Sequence, residues 1–367
     1  MARLHIGFIG LGLIGGSIAR ALRENMSEIY MTAYDINGTA LDKALQDGVI
    51  DQAAQQIDGR FSDCDYLFLC APVQKNDANL DTVKKIISPS CTLTDVGSVK
   101  TDIHQHIAKV GLEAQFIGGH PMAGSERFGY ANSKAKLLEN AYYILTPTGQ
   151  TLPERLEAYR TLVESMGAIP LILDYQQHDY VTAGISHLPH VIAASLVNLV
   201  RESDNEDGIM KLVAAGGFKD ITRIASSSAA MWQQICLTNT ENISRLLGDY
   251  IGSLSKIKDQ LDARQEDALY RLFDSARVYR DSFINASSGP IKRVYSFNID
   301  IDDRPGMLAQ VATALAFNNI NIKNIGIVHN REYEEGVLRI EFYDEASQEA
   351  AKLLLSTPQF VIHEKKM

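Results

Sequence analysis

A doubly wound α/β sheet, then an all-helical segment, then a small βαββαβ unit is the fold class that the sequence predicts. Three observations carry it. Short apolar runs alternate with amphipathic stretches over residues 1–174, the rhythm of βαβ units. From Tyr175 to 288 no strand-like run appears, and apolar residues recur at helical spacing. From Val294 to 367 strand and helix signals alternate again, after the Gly/Pro-marked stretch Asn285–Pro290. A chain of 367 residues has room for two or three domains at about 100–200 residues each.

In order, the candidate strands are Leu4–Ile9, Tyr30–Tyr34, Tyr66–Ala71, Thr92–Val96, Gln115–Ile117, Ala141–Leu145 and, after a helix-like segment (Leu152–Met166), Ile169–Leu173. Several are continuously apolar, as strands covered on both faces by helices must be. In the middle segment Leu246, Leu247, Tyr250, Ile251, Leu254 and Ile257 trace one helical face. In the last, a strand (Val294–Ile301) and the turn Arg304–Pro305–Gly306 precede a helix (Met307–Phe317). Strands Ile320–Val328 and Val337–Phe342 follow, joined by the charged tip Asn330–Gly336, then a helix (Ala346–Leu355) and a short last strand.

The chain carries 35 Lys and Arg against 45 Asp and Glu, a net charge of −10. That argues against nucleic-acid and anionic-lipid partners, because no basic surplus neutralises phosphates. Val181–Val200 lacks Asp, Glu, Lys and Arg, but His187, Pro189 and His190 interrupt it, so a polar-studded buried helix is expected rather than a membrane span. Cys64, Cys70, Cys91 and Cys236 have neither disulfide-framework nor metal-site spacing, so a reducing cytoplasm and no metal are expected.

Gly10, Gly12 and Gly15 form G-x-G-x-x-G directly between a strand and a helix, with Leu13 and Ile14 inside the motif. Such glycines permit a tight turn and the close approach of a pyrophosphate, and the helix start offers unpaired N–H groups. Asp35 ends the second strand 20 residues after Gly15, where a carboxylate accepts the ribose hydroxyls of NAD and repels a 2′-phosphate. The context predicts a Rossmann-type NAD site. The strand ends Cys70–Ala71–Pro72–Val73 and Asp95–Val96–Gly97–Ser98–Val99–Lys100 should face the same crevice, bringing a hydroxyl and an ammonium toward the nicotinamide end.

Three further groups carry chemistry. His120, in Gly118–Gly124, is either a turn residue or a proton acceptor, the role to which imidazole is best suited near neutral pH. Ser186 and His190 share one face of a helix, with His187 pointing away and Pro189 in a first helical turn. Arg223, in Gly216–Gly217–Phe218–Lys219–Asp220–Ile221–Thr222–Arg223, sits in apolar company and needs an anionic partner, internal or bound; the single tryptophan, Trp232, follows nine residues later.

In combination these residues resemble the prephenate/arogenate dehydrogenase family of tyrosine biosynthesis. The resemblance rests on GLGLIGGS (Gly10–Ser17), CAPV (Cys70–Val73), DVGSVK (Asp95–Lys100), GGHPMAGSE (Gly118–Glu126), SHLPH (Ser186–His190), GGFKDITRIA (Gly216–Ala225) and Met231–Trp232. The last segment resembles a ferredoxin-like ACT domain, with Asp302–Gly306 as the matching turn.

The resemblance implies an NAD-dependent oxidative decarboxylation of prephenate to 4-hydroxyphenylpyruvate. It gives His120 the 4-hydroxyl, assisted by Ser98, and gives Arg223 a substrate carboxylate. Ser186, His190, Gly216, Gly217, Glu126 and Trp232 shape the pocket, and Gly10–Gly15, Asp35, Ala71, Pro72, Val73 and Ser98 hold the cofactor. It also implies a helical substrate and dimerisation domain that builds a homodimer, and L-tyrosine as an effector near Asp303 and Gly306.

Arogenate differs from prephenate only in an ammonium for a keto group. Prephenate is expected because His190 and Arg223 would make the pocket electropositive. Lys100 or Lys219 would add to the positive groups that hold these anions against the acidic whole. Two competitors remain. A 3-hydroxyacid-type dehydrogenase would place a lysine on the central helix, and Val181–Val200 has none. A non-catalytic NAD or amino-acid sensor would not be expected to keep His120, Ser98 and Arg223.

Overall fold

The apolar run Leu4–Ile9 forms β1, the central strand of a five-stranded parallel sheet of order β3-β2-β1-β4-β5. Its neighbours are β2 (Ile29–Tyr34) and β4 (Tyr66–Leu69), with β3 (Gln52–Ala54) and β5 (Thr92–Asp95) at the edges. Crossover helices α1 (Leu13–Asn25), α2 (Gly38–Gln46), α3 (Val73–Ile86) and α4 (Thr101–Val110) cover the faces. Ile6, Phe8, Phe68 and Leu93 are fully buried, and Phe8 stacks on Phe68 at 5.3 Å. Strand β3 escapes a sequence reading because three residues pairing with one neighbour need no apolar run.

The structure is a computed structural model that describes residues 3–71, 73–124, 127–285, 295–301, 305–328, 337–356 and 360–363. The chain divides into two compact units, Met1–Gln265 and Glu266–Met367.

The parallel rhythm does not run through the whole first half. Strands β6 (Ile117–Pro121), β7 (Tyr142–Pro147) and β8 (Ile169–Ile172) form a separate three-stranded sheet, β6 antiparallel to β7 and β7 parallel to β8. Helix α5 (Pro153–Ser165) links β7 to β8. An isolated parallel bridge, Leu93 with Phe116, joins β5 to this sheet. Gly119 makes that approach close: a Cβ there would lie 2.6 Å from the Asp95 carbonyl oxygen. The glycine before His120 is thus a packing requirement that seats β6 against the carboxyl end of β5.

Helix α6 (Tyr175–Thr182), a π-helical turn (Ala183–His187) and α7 (Leu188–Ser203) form one continuous helix. Ser186–His190 therefore lies at a π turn inside a helix and not at a helix start. Pro189 has no N–H for an i→i−4 bond, and the wider turn absorbs that loss. The helix is also not the buried one expected: it is apolar and long enough to cross a membrane, yet only 17% of its most apolar stretch is buried. Short helices α8 (Ile209–Val213) and α9 (Gly216–Thr222) lead to α10 (Ala229–Thr238) and the long α11 (Thr240–Asp262). On α11 only Ile243 is buried, whereas Ile251 and Leu254 are exposed.

The second unit holds α12 (Glu266–Asn285), with Tyr270 and Phe273 exposed, and a βαββαβ arrangement. Its strands are β9 (Tyr295–Asp300), β10 (Ile322–Val328), β11 (Val337–Phe342) and β12 (Val361–His363), with helices α13 (Met307–Phe317) and α14 (Glu345–Leu355). The sheet is antiparallel throughout, in the order β10-β11-β9-β12, over a core that includes Phe297, Ile299, Val311, Leu315, Ile340 and Phe342. The tip Asn330–Gly336 and Asp302–Arg304 lie outside the described residues.

The turn after β1 gives a direct test of the fold. Gly10 has φ +95°, and a Cβ on it would lie 2.6 Å from the Ala71 nitrogen and 2.7 Å from the Cys70 carbonyl carbon. Both neighbours are backbone and cannot step aside. Gly10→Ala should therefore cost about 1–3 kcal/mol and lower Tm by several degrees. An unchanged Tm would show that the turn is not under this constraint.

Candidate active site

The dinucleotide corner is built by the loop from β1 to α1. Gly12 caps α1 with no side-chain hydrogen bond, and nothing lies within 4 Å of where its Cβ would project. The first N–H groups of α1 thus border a space left open by a missing side chain, the setting in which a helix start receives a pyrophosphate. Leu13 and Ile14 are half-buried at that start, and Gly15 is buried. Asp35 holds the loop from the second strand end: its Oδ2 accepts the Leu11 N–H at 2.6 Å and its Oδ1 the Asn37 N–H at 2.8 Å. Each carboxylate oxygen keeps a second lone pair for a ribose hydroxyl. Ala71 follows β4 beside Gly10, and Val73 opens α3. These features fit NAD. Pro72 lies outside the described residues.

The turn from β5 to α4 carries Ser98, half-buried, and ends in Lys100. Lys100 is fully buried. Its ammonium donates to Asp95 Oδ2 and, at 2.8 Å, to the Gly119 carbonyl. Asp95 also accepts from Gly97 N at 2.9 Å and Gly119 N at 3.2 Å. The expectation that Lys100 offers charge to an anionic ligand is therefore wrong; an internal carboxylate occupies it, and it clamps β5 to β6. Removing one partner of such a buried pair costs about 3–5 kcal/mol.

His120, partly buried near the end of β6, meets two residues that the sequence reading passed over. Its Nδ1 lies 2.8 Å from His178 Nε2, and His178 Nδ1 lies 2.8 Å from Asp179 Oδ1. Asp179 further accepts from Lys100 N at 2.8 Å, Thr101 N at 2.8 Å and Thr101 Oγ1 at 2.6 Å. The first turn of α4 is thereby capped by a carboxylate from α6. Burial alone would raise the Asp179 pKa, but hydrogen bonds from His178, Thr101 and the Lys100 amide hold it below the usual carboxylate value. Burial pushes His120 well below the ordinary histidine value, and the nearby Lys100 charge adds to that. The only signal in the sequence is a His-Asp pair within a helix, and nothing local says that it faces His120.

Beyond this corner Asn239 donates to the Asp179 carbonyl at 2.8 Å and lies 3.2 Å from His187 Nδ1. His187 does not point away: the π turn brings it edge-on to Trp232 at 6.0 Å, while His190 stacks on the same indole at 3.8 Å. His190 Nδ1 donates to the Ser186 carbonyl at 2.8 Å. Burial lowers the His190 pKa, and the Arg223 charge lowers it further, so His190 is not the positive group expected. Arg223 is exposed, in the short 3-10 turn Arg223–Ser226 after α9, whose first residues Gly216 and Gly217 are also exposed. Lys219 is exposed on α9.

His120, His190, Trp232 and the Ser186 carbonyl thus join one run of hydrogen bonds and ring contacts through His178, Asp179, Asn239 and His187. Glu126 and Asp303 lie outside the described residues; Gly306 is exposed with φ +93° at the start of α13. Burial pushes the Cys91 thiol up to about 12, and the described residues include no cluster able to hold a metal.

Residues 18–171 match the family model described as prephenate dehydrogenase, nucleotide-binding domain, and residues 174–275 match prephenate dehydrogenase, dimerization domain. Prephenate dehydrogenase of Bacillus subtilis is 37% identical over 345 residues, covering 94% of this chain and 93% of that one. The chain belongs to the prephenate dehydrogenase family. Among solved structures of similar sequence, prephenate dehydrogenase from Aquifex aeolicus, in complex with hydroxyphenyl propionate and NAD+, has TM-score 0.73 and 32% identity, covering 77% of this chain and 99% of that one. Synechocystis arogenate dehydrogenase has TM-score 0.69 and 30% identity, covering 76% and 100%. Membership gives the first unit its NAD, and the open corner at Gly12 agrees with that.

Asp35→Ala should weaken NAD binding by about tenfold, near 1.4 kcal/mol, and narrow the preference for NAD over NADP. Fluorescence titration of both cofactors checks this; an unaltered NAD affinity would remove Asp35 from the cofactor site.

Proposed function

We propose that this chain catalyses the NAD-dependent oxidative decarboxylation of prephenate to 4-hydroxyphenylpyruvate and CO2. The observation that carries the reading is His120, held by a hydrogen-bonded chain of buried residues and kept a weak base beside the turn that bears Ser98. Bound at the Gly10–Gly15 turn, NAD+ supplies the hydride acceptor, and turning the prephenate dianion into the product monoanion with CO2 balances without releasing a proton. His120 therefore draws on the hydroxyl proton as the C4–H bond breaks and leaves it on the phenolic oxygen. A base pushed well below the usual histidine pKa suits that task, because it does not keep the proton. Ser98 assists at the same oxygen. Arg223 presents a planar fork to a substrate carboxylate. The stacked His190–Trp232 pair is a flat wall for the ring, and Ser186, Gly216, Gly217 and Glu126 complete the pocket.

A neutral His190 leaves Arg223 as the positive group at this wall, which weakens the charge argument for prephenate over arogenate, and an arogenate dehydrogenase stands among the similar structures. NADH formation with the two substrates side by side tests the reading: turnover with prephenate is expected to exceed that with arogenate. The reverse ranking would make arogenate the substrate, and turnover of neither would overturn the proposal. With prephenate, His120→Asn should lower kcat by about 100-fold or more while leaving NAD affinity intact. Near-normal turnover would return His120 to a turn role.

We further infer a homodimer in the cytoplasm. The exposed apolar residues of α7 and α11 in the first unit, and of α12 in the second, support the dimer, since a second copy can cover faces that one chain leaves bare. The antiparallel βαββαβ unit supports an ACT domain that takes L-tyrosine near Asp303 and Gly306 and inhibits. Deleting residues 291–367 should abolish tyrosine inhibition; inhibition that persists would place the effector elsewhere.

A further inference from the structure

His120 can accept a hydroxyl proton only through a ring nitrogen that carries a lone pair, and a neutral imidazole has one such nitrogen. Which one it is follows from the buried chain behind it. The Asp179 carboxylate already accepts three hydrogen bonds from Lys100 N, Thr101 N and Thr101 Oγ1, and it lies at the start of α4, where a negative charge is favoured. An ionised carboxylate only accepts, so His178 Nδ1, 2.8 Å from Asp179 Oδ1, carries the hydrogen. Burial holds His178 below the ordinary histidine value, so the ring is neutral near pH 7 and its Nε2 carries a lone pair. His120 Nδ1, 2.8 Å from that Nε2, must then be the donor.

We propose that Asp179 and His178 are positioning residues that fix His120 in the Nδ1–H tautomer, so that Nε2 alone meets the substrate hydroxyl. The inference rests on the reading of His120 as the group that meets this hydroxyl. The chain runs inward, since His178 and Asp179 are fully buried. A reaction that releases no proton needs no outlet: the hydroxyl proton is shared with Nε2 and returns to the same oxygen, while the Nδ1 hydrogen stays between the two rings. The charged and titratable groups that act on His120 come from three elements: Lys100 from the β5–α4 turn, His178 from α6 and His187 from the π turn, while Asp179 and Asp95, at the end of β5, act on His178. The Lys100 charge is balanced by Asp95, so the polar link of His120 to an anion is through His178.

The tautomer is readable directly. In the full-length dimeric or monomeric enzyme as isolated, two-bond 1H–15N spectra near neutral pH distinguish pyridine-type from pyrrole-type ring nitrogens, and the His120→Asn variant assigns the His120 signals. His120 should show a pyridine-type Nε2 and a pyrrole-type Nδ1; the opposite pattern overturns the proposal without reference to activity. Kinetics supply the second reading. His178→Leu should lower kcat by about 100-fold with NAD affinity kept, and should move the acid limb of kcat/KM to lower pH, because the imidazolium loses its acceptor. In His178→Gln, Oε1 sits where Nε2 was and accepts the Nδ1 hydrogen, so kcat should recover to within about tenfold of the parent. A Gln variant no better than Leu, or an acid limb that does not move, would make His178 structural only. Normal turnover of His120→Asn would instead strike the underlying reading while leaving the tautomer as measured.

Discussion

One buried carboxylate holds the active-site corner together. Asp179 has no exposed surface and receives four hydrogen bonds, from the Lys100 and Thr101 amides, the Thr101 hydroxyl and His178. Burying a charge is tolerable only when it is paired or fully hydrogen-bonded, and the start of α4 supplies most of what Asp179 needs. The same bonds fix the β5–α4 turn that carries Ser98, hold α6 against α4, and orient the ring behind His120. From the other side Lys100 ties that turn to Asp95 and to the Gly119 carbonyl, one residue before His120. Two buried carboxylates therefore set the position of His120, the proposed proton acceptor, relative to the sheet that carries the cofactor.

The rest of the site is built on that frame with less internal support. The wall of His190 and Trp232 lies on helices that bury few of their side chains within the chain, and Arg223 stands exposed in a 3-10 turn. The contrast between a rigid corner at His120 and a more open wall at His190 and Trp232 follows from packing: the sheet supplies close-packed neighbours on both faces, and isolated helices do not.

Features written in local spacing were legible. Gly10, Gly12, Gly15 and Asp35 could be read because a strand–turn–helix and the next strand end are consecutive pieces of chain. The all-helical middle segment and the βαββαβ unit were legible from the switch in apolar period. The antiparallel pairing of β6 with β7 was not, because a short strand reads the same in either direction. Nor was the Asp179–Lys100 contact, which spans 79 residues and arises only when α6 returns to the start of α4. Lys100 misled for a related reason: its sequence position faces the crevice, but its ammonium is taken by a carboxylate that the periodicity cannot place. His187 misled because facing rules assume regular α-helix, and Pro189 is accompanied by a π turn.

The proposed tautomer requires His120 Nε2 to face the reacting oxygen while Nδ1 is held from behind. The most direct measurement is a crystal structure of this enzyme with NAD+ and a hydroxyphenyl carboxylate product analogue. The phenolic oxygen should lie within about 3.2 Å of His120 Nε2, with the Nδ1–His178 hydrogen bond kept. A phenolic oxygen seated away from His120, or bonded to Nδ1 with His178 displaced, would contradict it.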